Sequence, residues 1–170
     1  NKVQVDYIRN ATKGSVVEVL PAGNVTVDHK GQQLTELYEM SKSGVKAFTD
    51  DRNSIQKSDV MKLALLYTKK FDGLVMNQPN DKTISPDGKM NEGIASTKLG
   101  LKGIPALAEE VMLARDIELV EYTQGKFHAS RISTKKSVEL IRAAKKKNLK
   151  VSADVAIHNL ILQDQDLSLI

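Results

Sequence analysis

Cysteine is missing from all 170 residues, which leaves neither a disulfide nor a thiolate metal site. A chain without cysteine fits the cytoplasm. Tryptophan is missing too, and aromatic residues make up only 4%. A surface that stacks nucleic-acid bases needs more rings than that, so a net charge of +4 does not argue for nucleic acid. No apolar run approaches the ~20 residues of a membrane helix, so no membrane is expected either. No Gly-x-Gly-x-x-Gly follows the first apolar run, and no glycine-rich loop ends in Lys-Ser or Lys-Thr. Nucleotide binding therefore has no support. The chain opens on Asn1 with no initiator Met and no visible signal peptide, as expected of a trimmed or internal piece. What remains is ordinary for a globular chain: 41% hydrophobic and 27% charged, long enough for one domain with a core.

Apolar periodicity alternates between helix and strand. Val5, Ile8 and Ala11 suggest a first helix that ends at Gly14. The β-branched residues 16–20 predict a strand, followed by a loop over residues 21–31 and a helix over 34–40. A strand is expected near 45–49. Ser58, with Asp59 behind it, reads as the N-cap of a buried helix over 60–70, and Gly73 precedes a strand near 74–77. Residues 79–105 form a long polar stretch of the kind that serves as a binding loop or lid. Pro105 opens a helix to about Thr123, ended by Gly125. A strand at 127–131, a helix capped by Ser133 or Thr134, and a strand at 151–155 complete the pattern. Lys145, Lys146 and Lys147 close that last helix, where they offset its dipole and face water. About five strands alternating with helices predict an α/β fold with a parallel sheet, either open or part of an eight-stranded barrel.

The strand ends gather polar residues. Gly44-Val45-Lys46-Ala47-Phe48 runs into Asp50 and Asp51, Leu74-Val75-Met76 into Asn77 and Gln78, and Phe127-His128-Ala129-Ser130 into Arg131. Residues 151–156 run into His158 and Asn159. Strand ends sharing one face of an α/β sheet or barrel are where sites are built. The plainer reading of Asp50 to Asn53 is a solvated turn.

These segments carry a resemblance. Gly44-Val45-Lys46-Ala47-Phe48-Thr49-Asp50-Asp51, Asn80-Asp81-Lys82-Thr83-Ile84 and Asn91-Glu92-Gly93 come first. Leu99-Gly100-Leu101-Lys102-Gly103-Ile104-Pro105, Ala108-Glu109 and Ala114-Arg115-Asp116 follow. Ile132-Ser133-Thr134-Lys135-Lys136-Ser137-Val138 and His158-Asn159-Leu160 come last. In this order they resemble the dihydroorotases, cyclic amidohydrolases of pyrimidine synthesis. The resemblance implies one partial (β/α)8 barrel domain over residues 1–170. The family's first strand, with its His-x-His zinc ligands, and its last, with a catalytic Asp, are not in this chain.

The departures from the family pattern carry as much as the match. Where the family has a zinc-binding His, this chain has Gln78; where it has a second, directly before Val-Ser-Thr, this chain has Arg131. Of the expected metal positions only the Asp50/Asp51 pair survives, and either Asp matches the family's bridging Asp. His158 and Asn159 stand where the family has His-His. The resemblance then implies a protein with no zinc, no other cofactor and no hydrolytic activity, of the kind that scaffolds aspartate transcarbamoylase. The alternative is an active zinc-dependent enzyme whose other parts complete the site. Arg131 is expected to fork onto Asp50 or Asp51 in place of a metal. His128, earlier on the same strand, can share that strand face or be a hydrogen-bonded core residue. His29 reads as a solvated loop residue, and unpaired edges of a partial barrel predict self-association.

Overall fold

A computed structural model of the protein describes residues 1–169. Among these, four short strands pair in parallel in the order β1 (Ala47–Thr49), β2 (Leu74–Asn77), β5 (Lys126–Ala129) and β6 (Val151–Ala153). Helices α3 (Ser58–Lys69), α5 (Leu107–Thr123) and α6 (Lys135–Lys146) make the crossovers between them. The first two helices, α1 (Lys2–Ala11) and α2 (Leu37–Lys42), pack against each other ahead of β1.

Pleating sorts the side chains, because successive residues of a strand point to opposite faces. Phe48, Val75, Phe127 and Val151 are in register across the sheet and buried against the helices. Thr49, Met76, His128 and Ser152 form the next row, on the opposite face. α5 lies between α3 and α6 and fills the layer with Leu113, Ile117 and Val120. In α3, Met61, Ala64 and Leu65 are buried as expected, whereas Leu63 and Leu66 are exposed.

The turns that return the chain from helix to strand share one device. Asp72, Gln124 and Asn148 each adopt a left-handed conformation just before β2, β5 and β6. Gly73 and Gly125 follow the turn rather than make it; a Cβ on Gly125 would lie 3.2 Å from Leu65. The expected cap at Ser133 or Thr134 is Thr134, whose side chain accepts from the Ser137 N–H. Ser58 is not a cap: α3 starts at Ser58 itself, and Asp59 Oδ1 accepts from its neighbour Val60 at 2.8 Å.

Two expectations fail. Residues 16–20 are not a strand; Val16, Val17 and Leu20 are exposed and pair with nothing in the described sheet. The chain instead meets β1 a few residues later. Gly23 donates to Ala47 O at 2.9 Å and accepts from Thr49 N at 2.8 Å. Only a residue without a side chain fits there, because the Phe48 ring fills the space a Cβ would need. The sheet thus has four strands where the sequence suggests five. Residues 79–105 also hold more order than a loop. They contain a parallel pair, β3 (Met90–Asn91) with β4 (Gly103–Ile104), and the short helix α4 (Ile94–Lys98).

A Cβ at position 23 would stand 2.9 Å from Phe48 Cδ1 and 3.1 Å from Met40 Sδ. Gly23→Ala is expected to destabilise the chain by about 1–3 kcal/mol, read as a lower urea midpoint at unchanged slope.

Candidate functional site

Parallel pairing places the C-terminal ends of all four strands on one side of the sheet, and the polar residues foreseen from the sequence stand there. Their fates differ. Asp50 is buried. Its Oδ1 accepts from the N–H groups of Val25 and Thr26, both at 2.9 Å, and its Oδ2 accepts from the Thr26 hydroxyl. The carboxylate therefore closes the loop ahead of α2. His29 is not simply solvated: its Nδ1 lies 3.9 Å from Asp50 Oδ1, and Asn24 contacts its Nε2 at 3.0 Å.

Asp51 turns the other way. It adopts a left-handed backbone, φ 53°, and its side chain is 66% exposed. Arg131 is left-handed as well, φ 58°, and its Nη2 donates to Asp51 Oδ1 at 3.1 Å. The pair runs from the end of β5 past the end of β2 to the end of β1. The expected Arg–carboxylate contact is present and falls on Asp51. It is a single hydrogen bond rather than a fork, and Arg131 Nε is buried with no hydrogen-bond partner. Gln78 is half-buried at the end of β2. His158 and Asn159 are exposed on the four-residue helix α7 (His158–Ile161), outside this cluster.

Asp154 is the site residue the sequence reading passed over, because it counted residues 151–155 as one strand. β6 stops at Ala153, which frees Asp154 to act as a strand-end group. Its Oδ1 accepts from Arg131 N at 2.5 Å and its Oδ2 contacts His128 Nε2 at 3.0 Å. Burial pushes its carboxyl up, but the bonds from His128 and the Arg131 N–H outweigh burial and hold it below the ordinary value. His128 does share a face with its strand-end neighbours, through Asp154.

Beneath these groups lies a polar framework that the sequence showed only as motif pieces. Asn77 accepts from Ile55 N at 3.0 Å and donates to Asp116 Oδ2 at 2.8 Å. Arg115 donates to Ile55 O at 2.7 Å and Gln56 O at 3.0 Å. Its Nη2 also lies 2.8 Å from Asp116 Oδ1, an ion contact outside hydrogen-bonding geometry. Gln56 in turn holds Asn80 O at 2.8 Å and Lys82 N at 3.1 Å. Glu109 accepts from Ser133 N and Oγ and from Thr134 N, satisfying free donors at the start of α6. A polar residue inside an otherwise apolar helical stripe is the signal that marks Asp116.

Comparison with known proteins places this arrangement. The L-hydantoinase (dihydropyrimidinase) from Arthrobacter aurescens superposes with a TM-score of 0.70 at 14% identity, over 98% of this chain and 38% of that one. The dihydropyrimidinase from Brevibacillus agri gives 0.59 at 16% identity, over 78% of this chain and 31% of that one. The sheet is thus a portion of a (β/α) barrel, incomplete in this chain. The family model for dihydro-orotase-like proteins matches residues 1–137. A dihydroorotase from Thermoanaerobacter sp. is 46% identical over 166 residues, and one from Acetivibrio thermocellus is 43% identical. Each alignment takes in 97% of this chain, against 38% and 39% of the relative. The chain belongs to the dihydroorotase-like family and spans about two-fifths of the length of these relatives.

Three outcomes test the site's energetics. Asp51→Ala and Arg131→Ala are expected to couple by under about 1 kcal/mol in a double-mutant cycle, since the pair is solvent-screened. Asp50→Ala leaves three buried donors unsatisfied and should cost on the order of 3 kcal/mol with no coupling to Arg131. Burial pushes the Asp116 carboxyl up from 3.8 to about 6, only partly offset by Arg115 and Asn77. Between those values the folded state holds a proton that the unfolded chain has lost, so stability falls as pH rises from 3.8 to about 6. Denaturant midpoints across that range are expected to show the fall, and Asp116→Asn to flatten it.

Proposed function

We propose that this chain is a zinc-free dihydroorotase-like protein, silent toward cyclic amides, that acts as a scaffold. The contact of Arg131 with Asp51 carries the reading. Arg131 stands where the family motif has a zinc-binding His, and a guanidinium is charged at every working pH. Zinc takes imidazole, thiolate or carboxylate. Here Asp50 is committed to Val25 and Thr26, Asp51 to Arg131, and Gln78 is a poor ligand. The residues present do not fit zinc, and no hydrolytic step through a metal follows. Ring opening of a cyclic amide at this site is then negligible, because no bound water is activated.

The resemblance supplies aspartate transcarbamoylase as the scaffold's partner. Self-association has support in the fold: β6 has no neighbour on its outer side among the described residues, and Ile157, Leu160, Ile161 and Leu162, which follow it in the chain, are exposed. No helix is long and apolar enough to cross a membrane. The cysteine-free composition supports a cytoplasmic setting. A second reading is favoured by the 46% identity to a dihydroorotase: an active zinc enzyme in which residues outside this chain supply the metal ligands.

One preparation separates the two readings. The protein is purified in zinc-supplemented buffer, then taken through elemental analysis and sedimentation velocity. The expected result is well under one zinc per chain and a species larger than monomer. A tightly held zinc in every chain would establish the second reading instead, and a clean monomer would remove self-association.

A further inference from the structure

We propose that Ser152, His128 and Asp154 form a nucleophilic triad on the open face of the sheet, reactive toward small activated acyl esters. The inference uses neither zinc nor the Arg131–Asp51 contact, and so stands or falls apart from the function proposed above. The register of β5 and β6 sets His128 opposite Ser152, and Asp154 comes two residues later on the same face. Ser152 Oγ lies 2.8 Å from His128 Nδ1, and Asp154 Oδ2 lies 3.0 Å from Nε2.

Chemistry fixes the tautomer. Asp154 is held ionised by its two partners, and an ionised carboxylate only accepts. Nε2 must therefore carry the proton and donate to Asp154. That leaves Nδ1 with a free lone pair, and the Ser152 hydroxyl donates to it. This is the polarity a general base needs: a base within reach of a hydroxyl, its far nitrogen oriented by a carboxylate. Asp154 is itself fixed by the Arg131 N–H at 2.5 Å, so it acts as the positioning residue. Ser152 is exposed, and the His128 side chain is 16% exposed, so a small reagent reaches the hydroxyl while the imidazole stays partly shielded. Lys126, two residues before His128, is engaged by Asp72 at 2.6 Å.

The reaction balances without a co-reactant beyond water. Ser152 Oγ attacks the ester carbonyl and its proton passes to Nδ1. The C–O bond to the leaving group breaks, and that group departs with the proton. Water then attacks the acyl-serine with the same proton transfers, releasing the acid and restoring Ser152. With a fluorophosphonate, Oγ displaces fluoride at phosphorus and the lost proton accompanies it.

The test treats the whole 170-residue chain with an alkyl fluorophosphonate and, separately, with p-nitrophenyl acetate. Intact mass and peptide mapping locate the adduct. A single adduct on the peptide that holds Ser152 is expected, absent in Ser152→Ala. The labelling rate should rise with pH to a plateau as one group loses its proton. His128→Gln should slow labelling at least about tenfold and abolish that profile, and Asp154→Asn should slow it too. Thermal midpoints of each variant confirm folding. No adduct at Ser152 in the unaltered chain overturns the proposal without recourse to any variant. So does an unchanged rate in folded His128→Gln, the result a purely structural hydrogen-bond chain would give.

Discussion

Phe48, Val75, Phe127 and Val151 stand side by side across four parallel strands, buried against α3, α5 and α6. This row fixes the register of the sheet, because a slip of one residue would turn every one of them to the open face. It also fixes what the open face presents. Thr49, Met76, His128 and Ser152 are neighbours only because the apolar row beside them is aligned. Gly23 and Gly73 are bound to the same constraint, since a Cβ at either would press on the Phe48 ring, at 2.9 Å and 3.2 Å.

Parallel pairing then concentrates polar residues at one end of the sheet, and each carboxylate there solves its own burial problem. Asp50 goes inward and takes its donors from the backbone of residues 25 and 26. Asp51, the next residue, goes outward to water and Arg131. Asp116 is buried on α5 against Asn77 and Arg115, and burial still outweighs both partners. Asp154 keeps its charge through His128 and the Arg131 backbone. The network around Arg115, Gln56 and Asn77 holds the loops that follow β1 and β2, so the site rests on α5 as much as on the strands.

Much of this was legible beforehand. Alternating apolar periods marked α3, α5, α6 and all four strands of the sheet to within a few residues, because each element buries one face at a fixed period. Thr134 was readable as a cap because its hydroxyl acts within one turn. The β-branched run at 16–20 misled for the opposite reason: strand propensity says that a segment fits a pleat, and a pleat exists only where a neighbour offers a ladder. The small parallel pair within residues 79–105 was hidden because its strands are two residues each, too short for any period to show.

By itself the sequence determined the alternation of elements, the absence of thiol chemistry and the gathering of polar residues at strand ends. These are properties of local composition, spacing and motif. Only the tertiary structure decided which of two adjacent aspartates is buried and which meets Arg131. It alone freed Asp154 from the strand and linked it to His128 and Ser152, left His158 and Asn159 apart from the cluster, and buried Asp116 beside Arg115. Those choices depend on distances between residues tens of positions apart, set by strand register and helix packing, on which local sequence is silent.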